Sequence, residues 1–182
     1  MPMTKKVADL ITWSRILLTL LVIYLGVWWG PDALPAAACL LLTDWTGDLV
    51  DGVLARRHVF PHQTWIGLHD LQVDMFFALG LLVYLVGAGY LLPAFAVIYV
   101  LCWLLVFQRW GLHRSLGMLC QAPIYLTFFL VTAAHARPFA WAIALWILTV
   151  LIVTWPRFPQ QIVPEFLNGM RDAWGKGRQR FP

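Results

Sequence analysis

The sequence predicts an all-α integral membrane protein with six transmembrane helices and with both termini in the cytoplasm. Three observations lead to this fold class: the composition, the number of long apolar segments, and the positions of the basic residues. Hydrophobic residues make up 61% of the 182-residue chain, and charged residues make up only 12%. Soluble domains average about 45–50% apolar and about 25% charged residues. Most of the surface of this chain is therefore expected to face lipid.

Six segments approach the length of about 20 apolar residues that a helix needs to cross a bilayer. Short breaks rich in glycine, proline or polar residues separate them. The predicted spans are residues 13–29, 34–56, 65–87, 91–110, 115–134 and 139–155. We therefore predict a transmembrane domain over residues 1–156 and a basic amphipathic cytoplasmic tail over residues 157–182.

The basic residues orient these spans. If the chain crosses the membrane six times, every lysine and arginine except Arg137 lies on the same side. Short loops that carry an excess of lysine and arginine stay in the cytoplasm. The charge distribution therefore supports the number of spans and predicts that the protein lies in the cell (inner or plasma) membrane with its charged loops inside.

Two flanking segments are predicted to form amphipathic helices on an anionic membrane surface. The first covers residues 3–12. The second covers residues 163–174, where Phe166, Met170 and Trp174 recur at near-helical spacing with charged residues beside them. A frayed basic tail is the alternative for the second segment.

Acidic residues inside apolar spans are the most informative feature of the sequence, because a charge in the bilayer is costly and usually serves a function. Asp44, Asp48 and Asp51 are spaced by four and three residues, so they share one face of the second helix. Asp70 and Asp74 lie one turn apart on the third helix. Because a short loop joins the two helices, their acidic ends are expected to meet near the cytoplasmic surface.

Carboxylates packed together repel each other unless positive charge compensates them. Carboxylate oxygens are the ligands that magnesium, manganese and calcium prefer, so we predict a divalent metal site. The alternative is a network of ion pairs in which Arg56 and Arg57 hold the two helices together. Asp44 lies one turn deeper, and the sequence leaves open whether it has a proton-coupled role or bonds to Thr46 or a neighbouring helix.

The spacing of these residues resembles the signature of the CDP-alcohol phosphotransferases, D-x2-D-G-x2-A-R followed by G-x3-D-x3-D. The first half matches at five fixed positions: Asp48, Asp51, Gly52, Ala55 and Arg56. The second half matches at Asp70 and Asp74, whereas Ile66 takes the place of the glycine and Gly67 follows it. The segment from Leu10 to Leu18 is also similar to the start of phosphatidylglycerophosphate synthases.

The resemblance implies a role for each matching residue. Asp48, Asp51 and Asp70 would be ligands of Mg2+ or Mn2+, with two ions in each site. Asp74 would bind metal and act as the catalytic general base. The expected nucleotide-binding residues are Gly52, Ala55 and Arg56.

The resemblance further implies an enzyme of phospholipid biosynthesis that transfers a phosphatidyl group from CDP-diacylglycerol to a small polar alcohol and releases CMP. Glycerol 3-phosphate is the best candidate for the acceptor; inositol phosphate, serine or a phospholipid are alternatives. We expect a homodimer that contacts membrane lipids and binds no nucleic acid. From other classes of protein, a membrane cation-binding or transport protein and a non-enzymatic scaffold remain as alternatives.

A basic group, Arg109, His113 and Arg114, is predicted on the same cytoplasmic face. These side chains either bind a phosphate of the acceptor alcohol or set the topology by facing lipid headgroups. Arg15, near the start of the first span, has the same two interpretations.

Overall fold

The computed structural model describes residues 3–57 and 70–179, and within them the side chains of residues 13–50, 71–173 and 175. This part of the chain is helical and contains no β-strand. The α-helices are α1 Met3–Trp28, α2 Leu34–Arg57, α3 Asp70–Gly87, α4 Pro93–Trp110, α5 Arg114–His135, α6 Arg137–Val153 and α7 Val163–Gln179. A 3-10 turn, Gly30–Ala33, precedes α2, and a π-helical turn, Phe158–Ile162, precedes α7.

Each predicted span corresponds to one helix, in the predicted order, and apart from the start of α1, which lies ten residues earlier than predicted, the described helix boundaries agree within a few residues. Residues 65–69 of the third predicted span lie outside the described residues. The prediction of a separate flanking helix over residues 3–12 is wrong, because these residues continue into α1. No proline interrupts α1 and its only glycine, Gly26, lies near its end, so nothing in the sequence breaks the helix.

Three segments are long and apolar enough to cross a membrane: Gly30–Val50, which contains most of α2, and the helices α4 and α5. A fourth is counted if α6 and the start of α7, which meet at a bend of 82°, form one broken span. The described apolar parts of α1 and α3, Trp13–Trp28 and Leu71–Gly87, are shorter. The described part of the chain thus has three to four helices that qualify as membrane spans by length and composition.

The outer surface of this bundle is far more apolar than that of a soluble protein. The side chains of Trp28 and Trp141 are 74% and 75% exposed, and many other large apolar side chains also face outward. By contrast, Arg15 and Asp44 are buried. Exposed apolar patches of this extent mark a surface that another apolar phase covers, which agrees with a membrane protein.

Helix α1 lies between α2 and α3. It packs extensively on both, whereas in the described residues α2 and α3 barely contact each other. Two glycines allow α1 and α3 to approach closely. A Cβ atom on Gly26 of α1 would lie 2.6 Å from the Cα atom of Tyr84, and one on Gly80 of α3 would lie 2.7 Å from Cγ2 of Thr19. Small residues at such crossings are typical of packed membrane helices.

The other helices surround this three-helix unit. Helix α5 packs on α3 and α6, and α6 packs on α2, where the indole nitrogen of Trp146 donates a hydrogen bond of 3.0 Å to the Thr46 hydroxyl. Helix α4 has no buried residue. It ends at Gly111, whose φ of 82° is a conformation that favours glycine.

The C-terminal tail forms a helix where the sequence predicts one. Helix α7 lies across the ends of α4 and α5 and turns its least exposed residues toward the bundle: Phe166, Gly169, Met170 and Ala173. The contact is close, because a Cβ atom on Gly169 would lie 2.1 Å from Oγ of Ser115 at the start of α5.

Candidate functional site

The ionic residues of α1, α2 and α3 lie at matching heights in the bundle. Arg15 precedes the end of α1 at Trp28 by 13 residues, and Asp74 precedes the end of α3 at Gly87 by the same number. Asp48 follows the start of α2 by 14 residues. At about 1.5 Å per residue, all three lie about 20 Å from the helix ends on the side of Gly30. Three helices therefore bring one cation and two anions to one level.

Arg15 connects the three helices at this level. Its Nε atom donates a 2.8 Å hydrogen bond to Oδ1 of Asp44, and its Nη2 atom lies 3.3 Å from Oδ2 of the same carboxylate. Nη1 donates to Asp48 at 3.1 Å, and Nη2 donates to Asp74 at 2.5 Å. One guanidinium on α1 thus binds two carboxylates of α2 and one of α3.

Exposure differs sharply among these four side chains. The side chain of Arg15 is 2% exposed and that of Asp44 is not exposed at all. The side chain of Asp74 is 26% exposed and that of Asp48 is 46% exposed. An incoming ligand can therefore reach Asp48 and Asp74, whereas Arg15 and Asp44 form the closed floor beneath them.

The charges of this cluster do not balance. Three ionised carboxylates meet one guanidinium, so the four described side chains carry a net charge of −2. A buried charge is tolerated when it is paired, and the Arg15–Asp44 pair satisfies that requirement on its own. Asp48 and Asp74 are the carboxylates of this set that another ligand can approach.

The other predicted acids lie one helical turn farther toward residues 58–69. Asp51 follows Asp48 by three residues near the end of α2, and Asp70 is the first residue of α3. Both are 17 residues from the opposite ends of their helices, so their backbones are at about the same height, about 25 Å from those ends. Their side chains lie outside the described set.

The predicted nucleotide-binding residues Gly52, Ala55 and Arg56 occupy the last turns of α2, and the structure describes their backbone only. Ile66 and Gly67 lie outside the described residues. The helical backbone therefore places the first half of the signature on one continuous segment that begins at the Arg15 level and leads away from it.

Two residues of the predicted basic group line a different cavity. His113 and Arg114, at the start of α5, border a space of about 370 Å³ together with Glu165 and Asp172 of α7. Arg109 is not among the residues that line it; its guanidinium carbon lies 5.7 Å from the centre of the Trp110 ring. Because the cavity carries charges of both signs, it is not a purely cationic phosphate site.

One of the two interpretations of Arg15 drawn from the sequence is wrong. Arg15 is buried and donates to three carboxylates, so it does not face lipid headgroups. Asp44 bonds to the neighbouring helix α1 through Arg15, which answers one of the possibilities left open for it. The Thr46 hydroxyl instead donates to the Leu42 carbonyl oxygen at 2.6 Å.

A signal for Arg15 was present in the sequence. The residue stands in a long apolar helix, where an arginine requires an anionic partner, and Asp44 stands about one turn deeper in α2. The sequence did not reveal which anion Arg15 would meet, because 29 residues separate the pair.

No protein-family model matches the chain, and neither a curated protein nor a solved structure matches it. The fold and the site define a helical protein with apolar helices of membrane-spanning length and an acidic cluster at one end of a three-helix unit. The possible functions of this acidic cluster follow from its geometry and chemistry.

The donor set fits a hard divalent cation. No three acidic, histidine or cysteine side chains form a ready metal site among the described side chains, but these do not include Asp51 and Asp70. The two accessible carboxylates of Asp48 and Asp74 supply oxygen ligands. Each carboxylate has about four lone-pair sites, so a bond from Arg15 does not prevent it from binding a cation.

Proposed function

We propose that the chain is a membrane enzyme of the CDP-alcohol phosphotransferase type, which transfers a phosphatidyl group from CDP-diacylglycerol to a small alcohol and releases CMP. Glycerol 3-phosphate is the proposed acceptor. The observation that carries the proposal is the convergence of Asp48 and Asp74, from two different helices, on one buried guanidinium while both stay accessible. Both residues belong to the sequence pattern that resembles the family signature.

The charge of the cluster supports this function over a purely structural one. One arginine is sufficient to pair with Asp44, so a structural pin between α1 and α2 does not need Asp48 or Asp74. Accessible carboxylates from two helices are expected where a substrate-bound or catalytic cation must be held. Phosphoryl transfer depends mainly on such charge neutralisation and on positioning.

We assign the following roles. Asp48, Asp51, Asp70 and Asp74 would hold Mg2+ or Mn2+, with two ions in each site. These ions, when bound, neutralise the pyrophosphate of the donor. Asp74 accepts the proton of the acceptor hydroxyl as that oxygen attacks the phosphorus atom that bears the lipid. In the last turns of α2, Gly52 and Ala55 leave room for the cytidine, and Arg56 contacts the nucleotide.

The membrane arrangement suits a lipid donor. We propose six membrane crossings by α1 to α6, with both termini in the cytoplasm and α7 on the inner surface of the cell membrane. The 82° bend between α6 and α7 supports this, because a helix that turns this sharply away from a span lies close to the membrane plane. In that arrangement the acidic cluster lies near the cytoplasmic surface, and the acyl chains of the donor remain in the bilayer. We expect a homodimer.

For the acceptor, His113 and Arg114 are the residues that we propose to contact its phosphate, and Arg109 would add positive charge nearby. The cavity that His113 and Arg114 line also contains Glu165 and Asp172. Acidic groups beside basic ones favour an acceptor that carries hydroxyl or amino groups as well as phosphate. Inositol phosphate, serine and a phospholipid headgroup are therefore the other acceptors to test.

A second candidate function is a non-enzymatic scaffold. The observation that favours it is the set of hydrogen bonds from Arg15, which join α1, α2 and α3 without any ligand. In a scaffold, Asp48 and Asp74 would serve stability alone. The two candidates differ in whether the accessible carboxylates are needed for a reaction or only for the fold.

The experiment that tests the proposal is CMP release by the purified protein in detergent. The assay contains CDP-diacylglycerol, Mg2+ or Mn2+, and one acceptor at a time from the four classes named above. We expect release that depends on one acceptor and stops when EDTA removes the metal. If the folded protein releases no CMP with any acceptor, the enzyme proposal is wrong and the scaffold remains.

A further inference from the structure

The cluster consists of a buried pair, Arg15 and Asp44, and an accessible pair, Asp48 and Asp74. The proposed reaction assigns roles to the accessible pair and none to the buried pair. Arg15 and Asp44 have almost no contact with solvent. Yet Arg15 donates to both Asp48 and Asp74, the two described carboxylates that a ligand can reach. Within the described side chains, the buried pair acts on the site through those two residues.

We propose that Arg15 and Asp44 are a positioning pair that sets the separation and the charge of Asp48 and Asp74 so that the two carboxylates bind a divalent cation. This inference rests on the proposed function for its biological meaning. The claim that this oppositely charged buried pair controls a cation site does not depend on which reaction the site performs.

Arg15 fixes the distance between Asp48 and Asp74. Because α2 and α3 barely contact each other, direct helix packing does not fix the distance between Asp48 and Asp74. Arg15 does fix it, since Nη1 and Nη2 of one rigid, planar guanidinium bind the two carboxylates. Asp44 fixes the guanidinium in turn by accepting bonds from Nε and Nη2.

The net charge of the Arg15–Asp44 pair affects the charge of the cation site. Asp44 carries one negative charge and Arg15 one positive charge, so the pair is neutral as a unit. Arg15 therefore orients Asp48 and Asp74 as a hydrogen-bond donor without cancelling their charge. If Asp44 were neutral, the positive charge of Arg15 would be left to Asp48 and Asp74 and would compete with a bound cation.

The positioning hydrogen bonds and the net charge of the pair can be changed separately by substitution. Asp44→Asn keeps the size of the side chain and removes its charge, so the cation site becomes less negative. The double variant Arg15→Met with Asp44→Leu leaves the net charge unchanged and removes the positioning bonds. Arg15→Lys keeps the charge but cannot reproduce the planar fork. Thr132→Val removes a buried hydroxyl on α5 and serves as the control for loss of a buried polar group elsewhere in the bundle.

The test is Mn2+ binding by the full-length protein in detergent, measured by electron paramagnetic resonance for the wild type and these four variants. Partners that orient metal ligands typically contribute about 10–100-fold to metal affinity. We expect a loss of that size in Asp44→Asn, in Arg15→Lys and in the double variant, with wild-type affinity in Thr132→Val. Thermal unfolding of each sample shows that the protein is folded.

The double variant decides between positioning and simple stabilisation, because its buried apolar pair can preserve the fold. If the folded double variant binds Mn2+ as tightly as the wild type, the inference is wrong. Wild-type protein that binds no Mn2+ also overturns it. CMP release is measured separately on the same samples: a metal-binding pattern as expected without CMP release overturns the proposed function and leaves this inference standing.

Discussion

Arg15 and Asp44 join α1 to α2 by a pair of hydrogen bonds, from Nε to Oδ1 at 2.8 Å and from Nη2 to Oδ2 at 3.3 Å, with both side chains almost fully buried. A buried charge needs a partner in a medium of low dielectric constant, so removal of Arg15 would leave Asp44 without compensation, and removal of Asp44 would leave Arg15 only the more exposed Asp48 and Asp74. The bond therefore accounts for the presence of two costly residues deep inside apolar helices.

The first prediction concerns the stability of this pair. Arg15→Met alone or Asp44→Leu alone is expected to destabilise the protein by roughly 3–5 kcal/mol, because each leaves a buried charge with too few partners. The double variant is expected to recover most of that loss, since an apolar pair replaces an ion pair. Unfolding by SDS in mixed micelles measures all three, and strictly additive losses in the double variant would contradict the coupling.

The second prediction concerns the close contact between α1 and α3. A Cβ atom on Gly26 would lie 2.6 Å from the Cα atom of Tyr84, which is backbone and cannot rotate away. Gly26→Ala should therefore cost about 1–3 kcal/mol, as overpacking usually does. Gly175→Ala is the matched control, because no atom lies within 4 Å of its added Cβ. Equal melting temperatures for the two variants would show that α1 and α3 are packed less closely than the distance of 2.6 Å indicates.

The third prediction concerns the number of membrane crossings. With six crossings, cysteines that replace Asp32 and Arg137 face the outside, and cysteines that replace Leu112 and Asp172 face the cytoplasm. The experiment uses intact cells, a membrane-impermeant maleimide and a background in which Cys39, Cys102 and Cys120 are alanine. We expect labelling of the first two before cell lysis and of the last two only afterwards. Labelling of Leu112→Cys in intact cells would rule out the six-crossing topology.

The order and type of the helices could be predicted from the sequence because each helix corresponds to a long apolar run with a polar, glycine or proline break beside it. The start of α4 at Pro93 and its end at Gly111 are examples. The break between α6 and α7 is of the same kind, since Pro156 and Pro159 lie there, whereas the angle of 82° between the two helices is a property of tertiary packing that no spacing rule specifies. The continuity of α1 was missed because polar residues before Trp13 resemble a surface segment.

The candidate site could be predicted in part. The spacing of Asp44, Asp48 and Asp51 shows a shared helix face, since that property is local. The position of α1 between α2 and α3 is a matter of tertiary packing, and no spacing rule specifies it. The role of Arg15 follows only from that packing, which is why the sequence suggested Arg56 and Arg57 as the neutralising cations instead.

The last prediction concerns the accessible carboxylates themselves. Asp48→Asn and Asp74→Asn each remove one oxygen ligand and one negative charge while they preserve size. We compare them with Asp32→Asn, which makes the same chemical change at an exposed position near the opposite ends of the helices. All three proteins are expected to fold, because Asp48 and Asp74 are only partly buried.

The most direct test of the account is the rate of CMP release from CDP-diacylglycerol by these three variants with saturating Mg2+ and the preferred acceptor. The account predicts a loss of at least about 100-fold, equivalent to about 2.7 kcal/mol of transition-state stabilisation, for Asp48→Asn and Asp74→Asn, and a wild-type rate for Asp32→Asn. Wild-type rates in folded Asp48→Asn and Asp74→Asn would contradict the assignment of the site.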